Sequence, residues 1–311
     1  MGLVACGGQG ALGEQTALGE AGQTLGVRNG SNLNGSNLNG SNLNGSELND
    51  AGLSRMLVSV DYAGAGVERM RGSPLDQVRL EGSVFHGGSR GRSVSGMDFL
   101  EARFRGNLGE GGQVELRVEA ITPGPAGNPD VWTYQVSYLE PKDGQWYPIC
   151  RDASGRPAGA IAVAGRWDYR QGRPGEGGAK YDDPNTFTFA CEGAAIAKCI
   201  HLGYKPWARV GGTSLAAHHQ ACTRLIRADY CGDGTSHTVD GQWVNVYDAL
   251  GVQPDTEGWR AEAEWDAGGA RCFTNHTRSH VPFSCPGMSG SMRCAMADAF
   301  SEGTLLHSET P

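Results

Sequence analysis

Apolar residues fall on every second position through 113–138: Val114, Leu116, Val118 and Ala120, then, past a Pro/Gly-rich turn at 122–128, Trp132, Tyr134, Val136 and Tyr138. Side chains of a strand alternate between its faces, so this period of two predicts an antiparallel pair with one buried face. Lys142-Asp143-Gly144 reads as a turn and 145–149 as a further strand, followed by strands at 161–163 and 186–190 with a Gly/Pro-rich loop at 171–179 between them. The period then lengthens. Over 194–202, Ile196, Cys199 and Ile200 share one helical face, which stops at Gly203, a residue able to take a left-handed cap. A second helix over 215–230, with Thr213 or Ser214 as N-cap, turns Leu215, Cys222, Leu225 and Ile226 inward. Residues 243–247 and 259–265 return to alternation. Strands, two short helices and strands again predict an α+β domain of antiparallel strands.

Composition adds two excesses that belong to different parts of the chain. Glycine supplies 49 of 311 residues, more than twice the usual ~7%, and it is concentrated in the first hundred or so. Eight of the nine cysteines lie between Cys150 and Cys294, and the ninth is Cys6. The sequence has no run of ~18 apolar residues, which removes an integral transmembrane helix. A net charge of −8 without a long Lys/Arg cluster argues against a nucleic-acid partner.

Leu3-Val4-Ala5-Cys6 resembles a bacterial lipobox, in which a signal peptidase cuts before the cysteine and the new terminus carries lipid. A signal peptide needs a basic start and an apolar run, so this reading requires a start upstream of Met1. With Cys6 set aside, Cys150, Cys191, Cys199, Cys222, Cys231, Cys272, Cys285 and Cys294 form an even set able to close four disulfides, as in exported proteins. Myristoylation of Gly2 is disfavoured, because its motif wants Ser or Thr where Cys6 stands. Geometry prunes the pairings: cysteines nine residues apart on a continuous helix lie ~13 Å apart, beyond the ~7 Å a bridge tolerates. Cys222 and Cys231 are therefore not expected to pair, whereas Cys199 and Cys222 lie on facing sides of two helices.

From Ser31 the chain repeats Ser-Asn-Leu-Asn-Gly three times, and Leu33, Leu38, Leu43, Leu48 and Leu53 recur every fifth residue. This resembles the pentapeptide-repeat family, whose members coil into a square right-handed β-helix. The spacing recurs at Leu75, Leu80 and Phe85, and again at Phe99 and Phe104. A solenoid unit buries its apolar face only against neighbouring units, so a short ordered β-helix and a flexible Asn/Gly/Ser stalk both remain open.

The motifs Phe187-Thr188-Phe189-Ala190-Cys191-Glu192-Gly193, Gly203-Tyr204-Lys205-Pro206-Trp207 and His218-His219-Gln220-Ala221-Cys222, with Ala228-Asp229-Tyr230-Cys231-Gly232-Asp233-Gly234 beyond them, resemble the ADYC-domain family over roughly residues 107–275. Its bacterial members often follow a lipobox and short five-residue repeats. The resemblance implies no activity. Four regions are thus expected: a lipobox remnant and tether at 1–28, pentapeptide-like repeats at 29–106, the cysteine-rich domain at 107–294 and a tail at 295–311.

His218, His219, Asp229, Asp233, His237 and Asp240 gather along the second helix and the Gly-rich turn after it. Carboxylates and imidazoles together suit a divalent metal or proton transfer, yet the spacing fits neither an EF-hand loop nor a two-His zinc helix. The structural alternative has Asp233 and Asp240 closing Asx turns beside Gly234 and Gly241, and a buried Asp229 accepting backbone hydrogen bonds. Ala216-Ala217-His218 and Cys285-Pro286-Gly287-Met288-Ser289-Gly290 resemble the His and Ser signatures of chymotrypsin-like proteases. Against that stand their separation of only 71 positions, the helical setting of His218 and Met288 in place of the family's Asp. Trp132, Tyr134 and Tyr138 fit a core better than a stacking surface. The expectation is a lipid-anchored cell-envelope protein, held to a bacterial membrane through Cys6, needing no cofactor or metal and binding a protein or glycan. The competing expectation is an envelope hydrolase built on His218 or His219 with Asp229, Asp233 and His237.

Overall fold

The computed structural model describes residues 27–28, 56–67, 73–109, 111–286, 294 and 300–311. Its larger sheet is antiparallel throughout and closes on itself. Leu57–Val67 lies between Thr186–Cys191 and Ala102–Leu108, and the path continues through Gln113–Thr122 to Thr133–Leu139, which also pairs with Ala160–Ala164. Alternation along these strands sends Phe104, Leu116, Tyr134, Val136, Tyr138, Ala162, Phe187 and Phe189 inside, where all are buried. Phe85 plugs this barrel. Carried on a three-stranded meander of Asp76–Glu81, Val84–Ser89 and Arg92–Ser95, its ring lies 5.1 to 6.1 Å from those of Phe99, Phe104, Tyr134, Phe187 and Phe189.

The outer face of Ala160–Ala164 and Thr186–Cys191 carries Ile161, Val163 and Ala190, and these pack on Ile196, Ala197 and Ile200 of helix α1, Ala195–His201. Gly203, at φ +92°, follows its end. Helix α2, Ala216–Arg227, lies against α1 and presents Leu225 and Ile226 to a second sheet. That sheet runs Val27–Arg28, Trp243–Asp248, Leu306–Thr310, Arg260–Asp266, Gly269–Phe273. The fold is therefore α+β: mostly antiparallel strands with a central pair of helices. Four disulfides join Cys150 to Cys191, Cys199 to Cys222, Cys231 to Cys285 and Cys272 to Cys294. Cys199–Cys222 bridges the two helices, and Cys222 and Cys231 have different partners.

Three sequence expectations are corrected. The boundary at 106/107 cuts through the strand Ala102–Leu108, and Leu75, Leu80, Phe85, Phe99 and Phe104 belong to the barrel and its cap rather than to a repeat. Their spacing of five has a hairpin origin: Leu80 and Phe85 are cross-strand partners around a tight turn in which Gly82 takes φ +65°. The 295–311 tail supplies Leu306–Thr310, the middle strand of the second sheet, whose buried His307, Ser308 and Glu309 disguise it as a polar segment. Helix α2 stops at Arg227 instead of 230 because Ala228 turns left-handed at φ +51°, and its N-cap residue is Leu215, with Ser214 Oγ accepting the Ala216 N–H at 3.3 Å. The repeat Leu33–Leu53 and Cys6 lie outside the described residues.

Candidate functional site

The Ala228-Asp229-Tyr230-Cys231 string sits where α2 ends, between the barrel side of the molecule and the second sheet. Each residue has a separate mechanical task. Ala228, fully buried, reverses the chain in the left-handed region, so that the Asp229 N–H donates to Arg224 O at 2.9 Å. Asp229 is also wholly buried. Its carboxylate pairs with the Arg224 guanidinium and accepts the N–H groups of Asp233 and Gly234, each at 3.1 Å. Arg224 reaches on to Gly177 O, and Arg227 donates to Gly234 O at 2.6 Å. The 173–178 loop is tied to the same turn by Arg173 N–H to Asp233 O at 3.0 Å and Gly175 N–H to Gly232 O at 3.1 Å. One carboxylate thus holds two Gly-rich loops to one helix end. A buried charge is stable only when it is paired and its remaining lone pairs are hydrogen-bonded, and Asp229 meets both conditions.

Tyr230 points the other way, into the second sheet. Its ring stacks on Phe283 at 4.7 Å and Trp265 at 5.3 Å, and its hydroxyl donates to Glu262 Oε1 at 2.5 Å while accepting the Arg278 N–H at 2.9 Å. Burial, with the Glu262 charge beside it, pushes the phenol well above its ordinary range. Arg278 Nε pairs with Glu262 Oε1 at 2.8 Å, both side chains being buried. Cys231 ends the string by cross-linking to Cys285.

The remaining candidates do not meet in one cleft. His219 is fully buried, donates from Nε2 to Ile196 O at 3.2 Å and stands edge-on to Trp167 at 5.9 Å. Burial lowers its pKa to about 3, so the ring is neutral at pH 7 with its proton on Nε2. His218 faces Tyr204, stacked at 6.4 Å, on a different side of the helix; burial lowers its pKa, and Asp248 opposes the shift. His237 stacks on Phe283 at 4.5 Å, and burial lowers it too, against the pull of Asp233 and Asp229. Asp233 Oδ1 accepts the Thr235 N–H at 2.9 Å in an Asx turn. Asp229 and Asp233 are joined through a backbone N–H. Asp240 is exposed, and Ser289 lies outside the described residues. Among the described residues, the one cluster with metal-ligand proximity is Glu264 with Cys272 and Cys294, whose two sulfurs are already bonded to each other. Tyr134 and Tyr138 belong to the barrel interior.

The ADYC-domain family model matches residues 96–279, more than half of the chain and including the whole of this turn. The chain belongs to the ADYC-domain family. No curated protein and no solved structure matches it. The ADYC match starts at Gly96, ahead of the position 107 that the sequence motifs suggest, which agrees with the strand Ala102–Leu108 being part of the domain.

Sequence reasoning missed a second location in the ADYC protein, on the outer wall of the barrel. A cleft of about 620 Å³ opens there, lined by Gly64, Gly66, Arg103, Arg105, Gln113 and Glu115 together with the apolar Phe104 and Val114. The signal was legible in principle, since Arg103, Arg105 and Asn107 alternate with Phe104 and Gly106. Assigning 29–106 to a repeat concealed that strand.

Proposed function

We propose that this ADYC-domain protein is a lipid-anchored component of the bacterial cell envelope with a binding or structural role rather than a catalytic one. The observation that carries the reading is the closure of all eight cysteines from Cys150 to Cys294 into four bridges, which leaves Cys6 as the sole cysteine for a thioether-linked lipid. Disulfides form and persist in oxidising compartments, outside the cytosol. The same fold takes support from the hydrolase alternative. Asp229 neutralises Arg224, His219 is enclosed between α1 and Trp167, and His218 and His237 pack against separate aromatic rings. A general base needs hydrogen-bond access to a substrate proton, whereas His219 is fully buried and His218 and His237 lie against different aromatic rings.

The test is metabolic labelling with an alkyne fatty acid in the native host, comparing the wild type with Cys6→Ser. The expected result is label and membrane-fraction recovery for the wild type and loss of both in the variant. Unlabelled wild-type protein recovered from the cytosol overturns the proposal.

A further inference from the structure

We infer that the cleft on the barrel's outer wall is a binding site for a carboxylated saccharide, with Arg105 as its anion-binding residue. The inference rests on the binding role proposed above and names the surface and ligand class that serve it.

The cleft has a structural origin. Where Leu57–Val67 pairs with Ala102–Leu108, the register passes from Asp61 opposite Arg105 to Gly66 opposite Arg103, so five steps on one strand match two on the other. The extra residues interrupt the ladder as a bulge does: Tyr62 packs on Phe187 and Ala65 is buried, while Ala63 and Gly64 are exposed. Gly64 sits in that bulge at φ +77°, and a Cβ there would meet only the Arg105 guanidinium, at 3.8 Å. One wall is therefore nearly bare backbone, which lets a ligand approach main-chain groups closely.

The charged and amide side chains on and around the rest of the cleft are mostly committed. Arg103 Nη1 pairs with Glu115 Oε1 at 2.6 Å, and Arg117 with Glu119 at 2.8 Å. Asn107 Nδ2 donates to Asp61 Oδ1 at 2.7 Å and Ser59 Oγ at 3.1 Å, and its Oδ1 accepts from Gln113 Nε2 at 2.8 Å. Arg105 is the exception. It is exposed and, among the described residues, has neither an ion pair nor a side-chain hydrogen bond, although its register partners are the acids Asp61 and Glu115. Those two carboxylates are engaged by Arg103 and Asn107, so the guanidinium fork at the cleft is left open.

That arrangement selects its ligand. An open guanidinium matches a carboxylate in two parallel hydrogen bonds, while Glu115, on the same wall, disfavours a compact dianion such as phosphate. Beyond those contacts, the second amide hydrogen of Gln113 and the second carboxylate oxygen of Glu115 offer a donor and an acceptor for hydroxyl groups, and about 620 Å³ accommodates a short oligosaccharide. Arg103 is balanced by Glu115 and Asp61 stands opposite Arg105, so an acidic polymer would be held by the open Arg105 fork itself and not by a broad positive field.

The experiment titrates the full chain, oxidised and checked by circular dichroism, with oligogalacturonate, neutral dextran oligomers and inorganic phosphate, using calorimetry. Arg105→Ala is compared with Arg92→Ala, an exposed arginine on the meander. Saturable binding of oligogalacturonate alone, weakened at least tenfold in Arg105→Ala, unchanged in Arg92→Ala and reduced by added salt, is the expected result. Equal binding by Arg105→Ala overturns the site and leaves a binding role elsewhere on the protein standing. Equal affinity for phosphate or dextran, or no binding of oligogalacturonate, overturns the ligand class. A cytosolic, unlipidated protein would instead sink the envelope role without altering the titration.

Discussion

Asp229 illustrates how a residue that looks catalytic in sequence becomes structural in three dimensions. Its carboxylate is wholly buried against an equally buried Arg224, and removing one partner of such a pair strands the other. Asp229→Ala is expected to lower unfolding stability by about 3–5 kcal/mol, and Asp229→Asn, which still accepts backbone hydrogen bonds, to do so by less; urea unfolding of the oxidised protein measures both. His219 gives a pH dependence of definite sign. Burial holds its folded pKa at about 3 against an ordinary 6.5, so the unfolded chain binds the proton first as pH falls. Its contribution is complete above about 6.5 and declines towards pH 3, by at most ~1.4 kcal/mol per pH unit. Asp168, held low by its hydrogen bonds to Arg170, acts in the same direction. The urea midpoint should fall between pH 7 and pH 4, with a shallower dependence in His219→Gln; an unchanged slope would show that His219 is not the responsible group. At this scale the sequence was informative where geometry is local. The inward faces of the helices put Cys199 opposite Cys222, whereas the buried partner of Asp229 was hidden because Arg224 reads as an ordinary helix-surface cation.

Elements were legible in proportion to the clarity of their period. The strands Gln113–Thr122 and Thr133–Leu139 follow from strict alternation, and the helices from their apolar faces. Residues 57–108 were misread because glycine turns restart the alternation every few residues, and Leu306–Thr310 because its buried positions are polar and satisfied by neighbours: Ser308 Oγ donates to Glu262 Oε2 at 2.7 Å. Two substitutions test how elements are joined. Gly232, at φ +62°, has no room for a side chain, since a Cβ there would lie 1.7 Å from Gly268 O. Gly232→Ala is therefore expected to yield no correctly oxidised folded protein, read as loss of the native disulfide set. Replacing Cys199 and Cys222 together by Ala opens a 23-residue span and should cost ~3 kcal/mol, measured by urea unfolding, with the secondary structure retained.

At the scale of the molecule, the family match and the folding unit differ. Residues 96–279 omit Leu57–Val67, which lies between two strands of the barrel, and Leu306–Thr310, which lies between two strands of the second sheet. A fragment limited to 96–279 is expected to lack cooperative thermal unfolding, while a chain running from 56 to 311 retains it. The proposed oxidising envelope location rests on four disulfides that brace the fold, with the ADYC string serving as one of its joints. Non-reducing peptide mapping of protein taken from its native host tests this most directly. The account predicts Cys150–Cys191, Cys199–Cys222, Cys231–Cys285 and Cys272–Cys294, with Cys6 in none of them; free thiols at most of those eight positions would contradict it.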